Sequence, residues 1–476
     1  MTGDTVRGAP SPSAPGPKQP LRPASLMSSA VFTFGTSITV AVLSLVNVLI
    51  VARTLGATGR GQVALLSAIA YLTSQISLFG VEQANVNFAG TQPELRPKLA
   101  TNSFLFSIVF GGAAICFVAG LVAVFPDVGG GLSTGLLWLS LLSIPILIFE
   151  TYLLMLVRAD YRFALANVGF IVVPIVNVAA NGTLAVVGAI TVGTAFGTWV
   201  AGQALGALIF AWCIQFRSAG FGRADLAVAR RMLGFGVKAQ GGRIMMLGNY
   251  KLDQWLVGAI SGARELGIYS VAVAWAEALF YLPTALAAVQ RPDLVRASRR
   301  EAVRQTGVVF RAATLVTLPL AIIMVVAAPI LCVTIFGSDF SDSIIQLRVL
   351  AAGAFGILAL KLLGNALTAQ QKPLLETAAI GMAFVVTLAL DVALIPANGG
   401  LGAAAASSIA YTVGGIAITL LFARQLDARL SDLVPRIDDV AASWRRTKGM
   451  MRRRTDVEEP VLAASPLDSL DQNQPT

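Results

Sequence analysis

Long apolar runs alternate with short polar breaks along almost the whole chain. Twelve runs are read, at about 27–52, 62–89, 102–125, 132–157, 163–182, 188–215, 239–260, 266–290, 312–336, 343–369, 374–395 and 400–423. Each supplies the roughly 20 residues that a helix needs to cross a bilayer. Only helices and closed barrels satisfy their backbones in lipid. These runs are too long and too continuously apolar for barrel strands, so the expected fold class is all-α integral membrane. The break between runs five and six falls at NGTLAVVG, where no charge intervenes and Asn181 and Gly182 supply the turn.

Composition agrees with this reading. The 476 residues are 56% hydrophobic and 13% charged, with a mean hydropathy of +0.75. Charge then tests the count. If the N-terminus is cytoplasmic, 28 of the 35 lysines and arginines fall in segments on that side, and only Arg53, Arg60 and Arg264 lie in loops opposite. The positive-inside rule is obeyed along the chain, which predicts an even number of spans with both termini cytoplasmic. The first run is too long for a signal-peptide core and reads as an uncleaved anchor. The expected organisation is a disordered cytoplasmic N-terminus (1–26), a lobe of helices 1–6 (27–215), a cytoplasmic linker (216–238), a lobe of helices 7–12 (239–424) and a basic, disordered cytoplasmic tail (425–476). Within the tail, RRTKGMMRRR (445–454) suits anionic membrane lipids. Cys116, Cys213 and Cys332 all lie inside apolar runs, and the chain has no histidine and no CxxC pair. Zinc sites of the usual kinds and histidine proton relays are thereby excluded, and no metal, cofactor or nucleic-acid partner is expected.

An internal repeat divides the chain. VARTLGATGRGQVALLSAIA (51–70) aligns without gaps on VGAISGARELGIYSVAVAWA (257–276), setting Gly56 on Gly262 and Gly61 on Gly267 at an offset of 206. A looser match sets VNVAANGTLAVVGAITVGTA (176–195) on LDVALIPANGGLGAAAASSI (390–409), with Asn177 on Asp391 and Gly188 on Gly402. One match opens each half and the other closes it. Two parallel repeats of six helices are a transporter plan, with the site between the halves near the midplane. The glycine-rich joint is accordingly a tight turn rather than a phosphate loop, since no strand precedes GATGRG and no GK[ST] follows.

At these residues the chain resembles the polysaccharide-exporter branch (Wzx-type oligosaccharide flippases) of the multidrug/oligosaccharidyl-lipid/polysaccharide superfamily. ARTLGATGRGQVALLSAI is similar to that family's first inter-helix joint. LTAQQKPLLETAAIGMAFVVTLALDVALIPANGGLGAAAASSIAYTVG (367–414) is similar to its last two spans and their loop. The resemblance covers about residues 27–424. It implies a MATE-like fold of two six-helix lobes and alternating-access transfer of polyprenyl-pyrophosphate-linked oligosaccharide from the inner to the outer leaflet of a bacterial plasma membrane. Implied partners are the lipid-linked substrate, a polysaccharide polymerase and glycosyltransferases.

Charge inside a span is expensive and marks candidate function. The seventh span holds Arg243, Asn249, Lys251 and Asp253. Arg243 and Lys251 are eight residues apart, about 80° around a helix, and can face one cavity. Lys361 and Asn365 sit one turn apart on span ten, Glu277 at mid-span eight and Glu150 in span four. A pyrophosphate-linked sugar requires cations, so Arg243, Lys251 and Lys361, with Asn249 and Asn365, are the candidate substrate-binding residues. Asp253, Glu277 and Glu150 are candidates for ion coupling. Internal pairing of Lys251 or Arg243 with Glu277 or Asp253 is the competing reading. Arg348, Asp391 and Glu82 lie near span ends and read as snorkelling, capping or interface residues.

Three other functions compete. A cation-coupled multidrug antiporter needs acids for its cationic substrates, yet the first span contains none. A peptidoglycan-precursor flippase typically has two further spans. A non-transporting scaffold of a polysaccharide-assembly complex would flip nothing. No nucleophile–base constellation points to an enzyme. Reporter fusions at residues 225 and 440 should both read cytoplasmic, and an outside reading at either would break the twelve-span topology.

Overall fold

The computed structural model describes residues 23–160 and 162–434. Twelve α-helices follow in order: α1 (Pro23–Ile76), α2 (Val81–Thr91), α3 (Arg96–Val124), α4 (Thr134–Ala159), α5 (Phe163–Val186), α6 (Val192–Arg217), α7 (Leu226–Ile260), α8 (Gly262–Arg296), α9 (Arg299–Pro329), α10 (Ser343–Ala352), α11 (Ala354–Ala369) and α12 (Pro373–Leu426). No strand occurs among the described residues. Nine of these helical stretches, among the described residues, are long and apolar enough to cross a membrane. Two of the nine are double passes. At 54 residues each, α1 and α12 would be far longer than a bilayer is thick. Each breaks at a glycine with a left-handed backbone, Gly56 (φ 65°) and Gly399 (φ 53°). In α12 the limbs lie against each other, with Ala383 of the first beside Gly414 of the second. The remaining pass is α7, the helix that carries the most intramembrane charge. Twelve passes result, in two six-helix lobes.

In the first lobe α1 packs on α4, α5 and α6, and α4 joins α3 to α6. In the second, α12 packs on α7, α10 and α11, and α11 on α8 and α9. The lobes meet through α1 on α8 and α7, and through α2 on α7.

The residues of the sequence repeat make the first of these contacts. Gly262 is left-handed (φ 86°), like its counterpart Gly56. Just beyond these joints the two backbones touch. A β-carbon at Gly61 would lie 1.6 Å from the Ala263 carbonyl oxygen, and one at Gly267 would lie 1.9 Å from that of Ala57. Small residues permit such approach between membrane helices, where dispersion replaces the hydrophobic drive. Arg53 adds a polar tie, donating to the carbonyls of Ile335 (2.6 Å) and Thr334 (2.5 Å) at the end of the π-turn that follows α9.

The second repeat differs from the sequence alignment. Gly188 (φ 69°) is the left-handed residue of its joint, but the matching one is Gly399, not Gly402. Its offset of 211 sets Asn181, rather than Asn177, close to register with Asp391. The ends of the chain expected at 1–26 and 425–476 lie mostly outside the described residues, RRTKGMMRRR included. The tail begins in order, however: α12 runs to Leu426, and Leu433 is buried after a short 3₁₀ turn. The expected linker at 216–238 is helical from Leu226 onward.

Gly61→Ala and Gly267→Ala should each lower stability in detergent by about 1–3 kcal/mol, the usual cost of overpacking. Gly112→Ala on α3, where a β-carbon meets nothing within 4 Å, should be neutral or slightly stabilising. Equal thermal unfolding of all three would refute the backbone contact.

Candidate functional site

The site is built on α7. The helix starts on the Asp225 side chain, which accepts hydrogen bonds from the backbone N–H of Ala227 (2.9 Å) and Val228 (3.2 Å). Lys98 of α3 pairs with the same carboxylate at 2.8 Å, and this bond, with the cap, holds the Asp225 carboxyl below the usual range. The second lobe's first helix is thus pinned to the first lobe at its entry.

One face of α7 meets α1 and α2 across the seam. Gly236 packs on the backbone of Phe79 and Gly80. A turn on, the Gln240 amide donates to the carbonyls of Gln75 (3.0 Å) and Ile76 (3.2 Å). Next comes Arg243. Its guanidinium donates to Gln75 Oε1 (2.5 Å) and stands 3.5 Å from Glu82, a fully buried carboxylate at the start of α2. Two turns further Lys251 pairs with Glu277 of α8 at 2.8 Å, both side chains about one-third exposed (32% and 36%). Tyr71 of α1 lies within electrostatic reach of that lysine. Arg243 and Lys251 therefore both lie at the junction of the lobes, separated by about 12 Å along the helix, and each is neutralised by a carboxylate.

The opposite face of α7 turns inward to its own lobe. Asn249 is buried and donates to the carbonyls of Met245 and Ile380, while its oxygen accepts from Thr387 (3.1 Å). Tyr411 donates to its backbone carbonyl. Asn365 is also buried and donates to the carbonyl of Ala287 on α8. The structure therefore spends both amides on holding helices together rather than presenting them at the seam. Lys361 stands half-buried a turn before Asn365 on α11. Glu150 lies in the first lobe against Gly206 of α6, apart from the other candidates.

Below the seam, two carboxylates share the interior of the second lobe. Asp253 accepts from Tyr269 (2.5 Å) and Ser407 (3.3 Å). Asp391 is fully buried, neither of its oxygens has a hydrogen-bond partner among the described residues, and it feels the charge of Asp253. The pairing follows helix spacing: Asn249 meets Thr387, and one turn along both helices Asp253 comes level with Asp391. Two neighbouring carboxylates repel each other, and Lys251 is the nearby cation whose charge acts on Asp253. The first lobe has the same socket without acid. Asn181 donates to Asn47 (2.8 Å), and Thr198 donates to Asn181 (2.9 Å) and Asn177 (3.2 Å). Asn47 is the repeat counterpart of Asp253 at the offset of 206. No group of three or more His, Cys, Asp or Glu able to hold a metal ion occurs among the described residues.

Sequence reasoning assigned Glu82 and Asp391 to span ends and overlooked Gln75 and Tyr71. For Asp391 a signal existed in the repeat, which set an acid against an amide. For Glu82 none did, because its partner lies in the other half of the chain.

Residues 50–345 match the family described as polysaccharide biosynthesis protein. No curated protein matches the chain. Among solved structures, the fold is similar to the lipid II flippase MurJ in an inward closed conformation (TM-score 0.70, 13% identity, 86% of this chain and 89% of that one). It is also similar to a multidrug resistance MATE family transporter of the MOP superfamily in its inward-facing conformation (0.67, 12%, 82% and 94%). A third similar structure is a MOP superfamily transporter from Pyrococcus furiosus, for which reverse polarity of the binding pocket suggests a different function (0.56, 12%, 84% and 95%). At these identities the likeness establishes the fold alone, the MATE-like arrangement of two six-helix lobes.

Breaking the Lys251–Glu277 pair should cost about 1–3 kcal/mol, between the values for exposed and buried ion pairs. Lys251→Ala and Glu277→Gln should each lower the unfolding temperature. The double variant should recover most of the loss, and strict additivity would show that the pair does not stabilise the fold.

Proposed function

Because the chain belongs to the polysaccharide biosynthesis protein family and shares its fold with structures described as a lipid II flippase and a multidrug resistance transporter, we propose that it is a flippase rather than an enzyme. It carries polyprenyl-pyrophosphate-linked oligosaccharide from the inner to the outer leaflet of a bacterial plasma membrane, with both termini cytoplasmic. The moving bodies are lobes at 27–215 and 239–424, joined by the linker at 216–238. The observation that carries this reading is the pair of cations at the lobe seam, each held by a carboxylate that an anion can displace.

Arg243 offers a planar fork that suits a pyrophosphate, and Lys251 a point charge. When the pyrophosphate arrives, it competes with Glu82 for Arg243 and with Glu277 for Lys251. The Arg243–Glu82 contact ties α7 of one lobe to α2 of the other. Its loss therefore loosens the seam at the moment the substrate is bound, which couples occupancy to the lobe movement of alternating access. Lys361 is a further cation for the same head group. Sugar-transferring enzymes and the polymerase of a surface polysaccharide are the natural suppliers and acceptors of such a substrate, and the basic tail suits anionic lipids.

Asp253 is the ion-coupling residue of this scheme, with Asp391 as its partner. A proton or a monovalent cation shared between them removes the repulsion and alters how α7 packs on α12. Glu277 is assigned instead to Lys251, and Glu150 stands apart from this pair, against Gly206 of α6.

Flipping of a fluorescent polyprenyl-pyrophosphate oligosaccharide in proteoliposomes tests the proposal. Arg243→Ala and Lys251→Ala should each reduce the rate at least tenfold, and Arg243→Lys should retain part of it. Asp391→Asn should flip without responding to an imposed proton or sodium gradient. A multidrug antiporter would instead move cationic dyes, and a scaffold would move neither. Wild-type rates in both alanine variants would remove the cations from the mechanism.

A further inference from the structure

Beside the charged seam runs a groove of about 320 Å³ that belongs to neither lobe alone. Its walls come from the second limb of α1 (Leu72, Ile76), from α3 (Phe117, Leu121), from α7 (Leu247, Leu252) and from Phe384 of α12. Among the described residues no charged one lines it, and Phe117 and Ile76 are exposed at its edge. Phe384 closes the floor against Gly248, where a β-carbon would stand 2.2 Å from the ring.

Helix geometry joins the groove to the cations. Measured around α7 from Arg243, Leu247 lies at about 40°, Lys251 at about 80°, Ile244 at about 100° and Leu252 at about 180°. Lys251 thus falls between two groove-lining residues on the same arc, and Arg243 borders it. An apolar channel flanked by two cations complements a molecule with a long hydrocarbon and an anionic head at one end. Neither part is complementary to a cationic drug or a free sugar.

We propose that this groove holds the polyprenyl chain of the lipid-linked substrate while its pyrophosphate engages Arg243 and Lys251. The proposal rests on the flippase reading and adds to it a path for the tail. The sugar passes between the lobes on the cavity side of α7. The hydrocarbon stays on the lipid side, between α3 and the first limb of α12. The walls are apolar except for Thr73, so the chain slides as the lobes turn.

The experiment uses the full chain in proteoliposomes with two substrates that share a head group, one with a long polyprenyl chain and one with a tail of two isoprene units. Leu121→Trp fills the groove from a half-exposed position and is expected to leave the unfolding temperature unchanged. It should slow flipping of the long-chain substrate at least tenfold and leave the short-chain rate within twofold of wild type. A photoreactive polyprenyl pyrophosphate should crosslink to Leu121 or Leu247, and unlabelled long-chain substrate should suppress the crosslink. Should Leu121→Trp destabilise the protein, the crosslink decides alone. Equal slowing of both substrates, or equal crosslinking by a photoreactive acyl phospholipid that substrate does not displace, overturns the groove assignment. Absence of flipping by the wild-type protein overturns the flippase reading itself.

Discussion

A lysine or arginine within a bilayer must face water or an opposite charge. That constraint shapes the junction between the lobes. Arg243 and Lys251 sit on a helix too polar to rank with the other spans by apolarity, and the fold accommodates them by placing α7 against α1, α2 and α8. Among the described residues each cation has one carboxylate within ion-pair distance. Their charges are balanced but their hydrogen-bonding capacity is not exhausted. A half-buried guanidinium and ammonium can therefore exchange partners, whereas the fully bonded Asn249 cannot.

The apolar runs revealed the twelve passes, because length and hydropathy are local properties that the bilayer enforces. The joints were legible for a related reason: Gly56 and Gly262 hold backbone angles that other residues resist, so their spacing survives in both halves. What stayed hidden was partnership. Glu82 and Arg243 lie in different halves of the chain, and nothing in either neighbourhood announces the other. Asn249 and Asn365 looked like head-group ligands because they stand near cations along the chain. Helix rotation turns them into their own lobe, where they bond to carbonyls. The second joint misled through composition: alanine- and glycine-rich segments align almost equally well in several registers, and only the left-handed backbone at Gly399 fixes the one that is used.

The two buried polar sockets show how one architecture serves two purposes. In the first lobe, amides and a threonine satisfy one another within the socket. In the second, carboxylates replace amides and leave Asp391 without a donor among the described residues. An amide carries both donor and acceptor, so a cluster of them can close on itself. Ionised carboxylates only accept, and such a cluster stays open to a proton or a cation.

The contact of residues 57–61 with 263–267 has the form of an isologous interface, in which each side touches the other through the same positions. Such an interface ordinarily joins two identical chains, and there every substitution is made twice. Here both sides belong to one polypeptide and can vary separately. The glycines that let the backbones meet are matched, yet Arg60 stands where the other half has buried Leu266, and Asn47 where it has Asp253. A duplicated chain can in this way keep a twofold hinge while giving its two halves different chemistry, a freedom that no symmetric dimer of one six-helix subunit has.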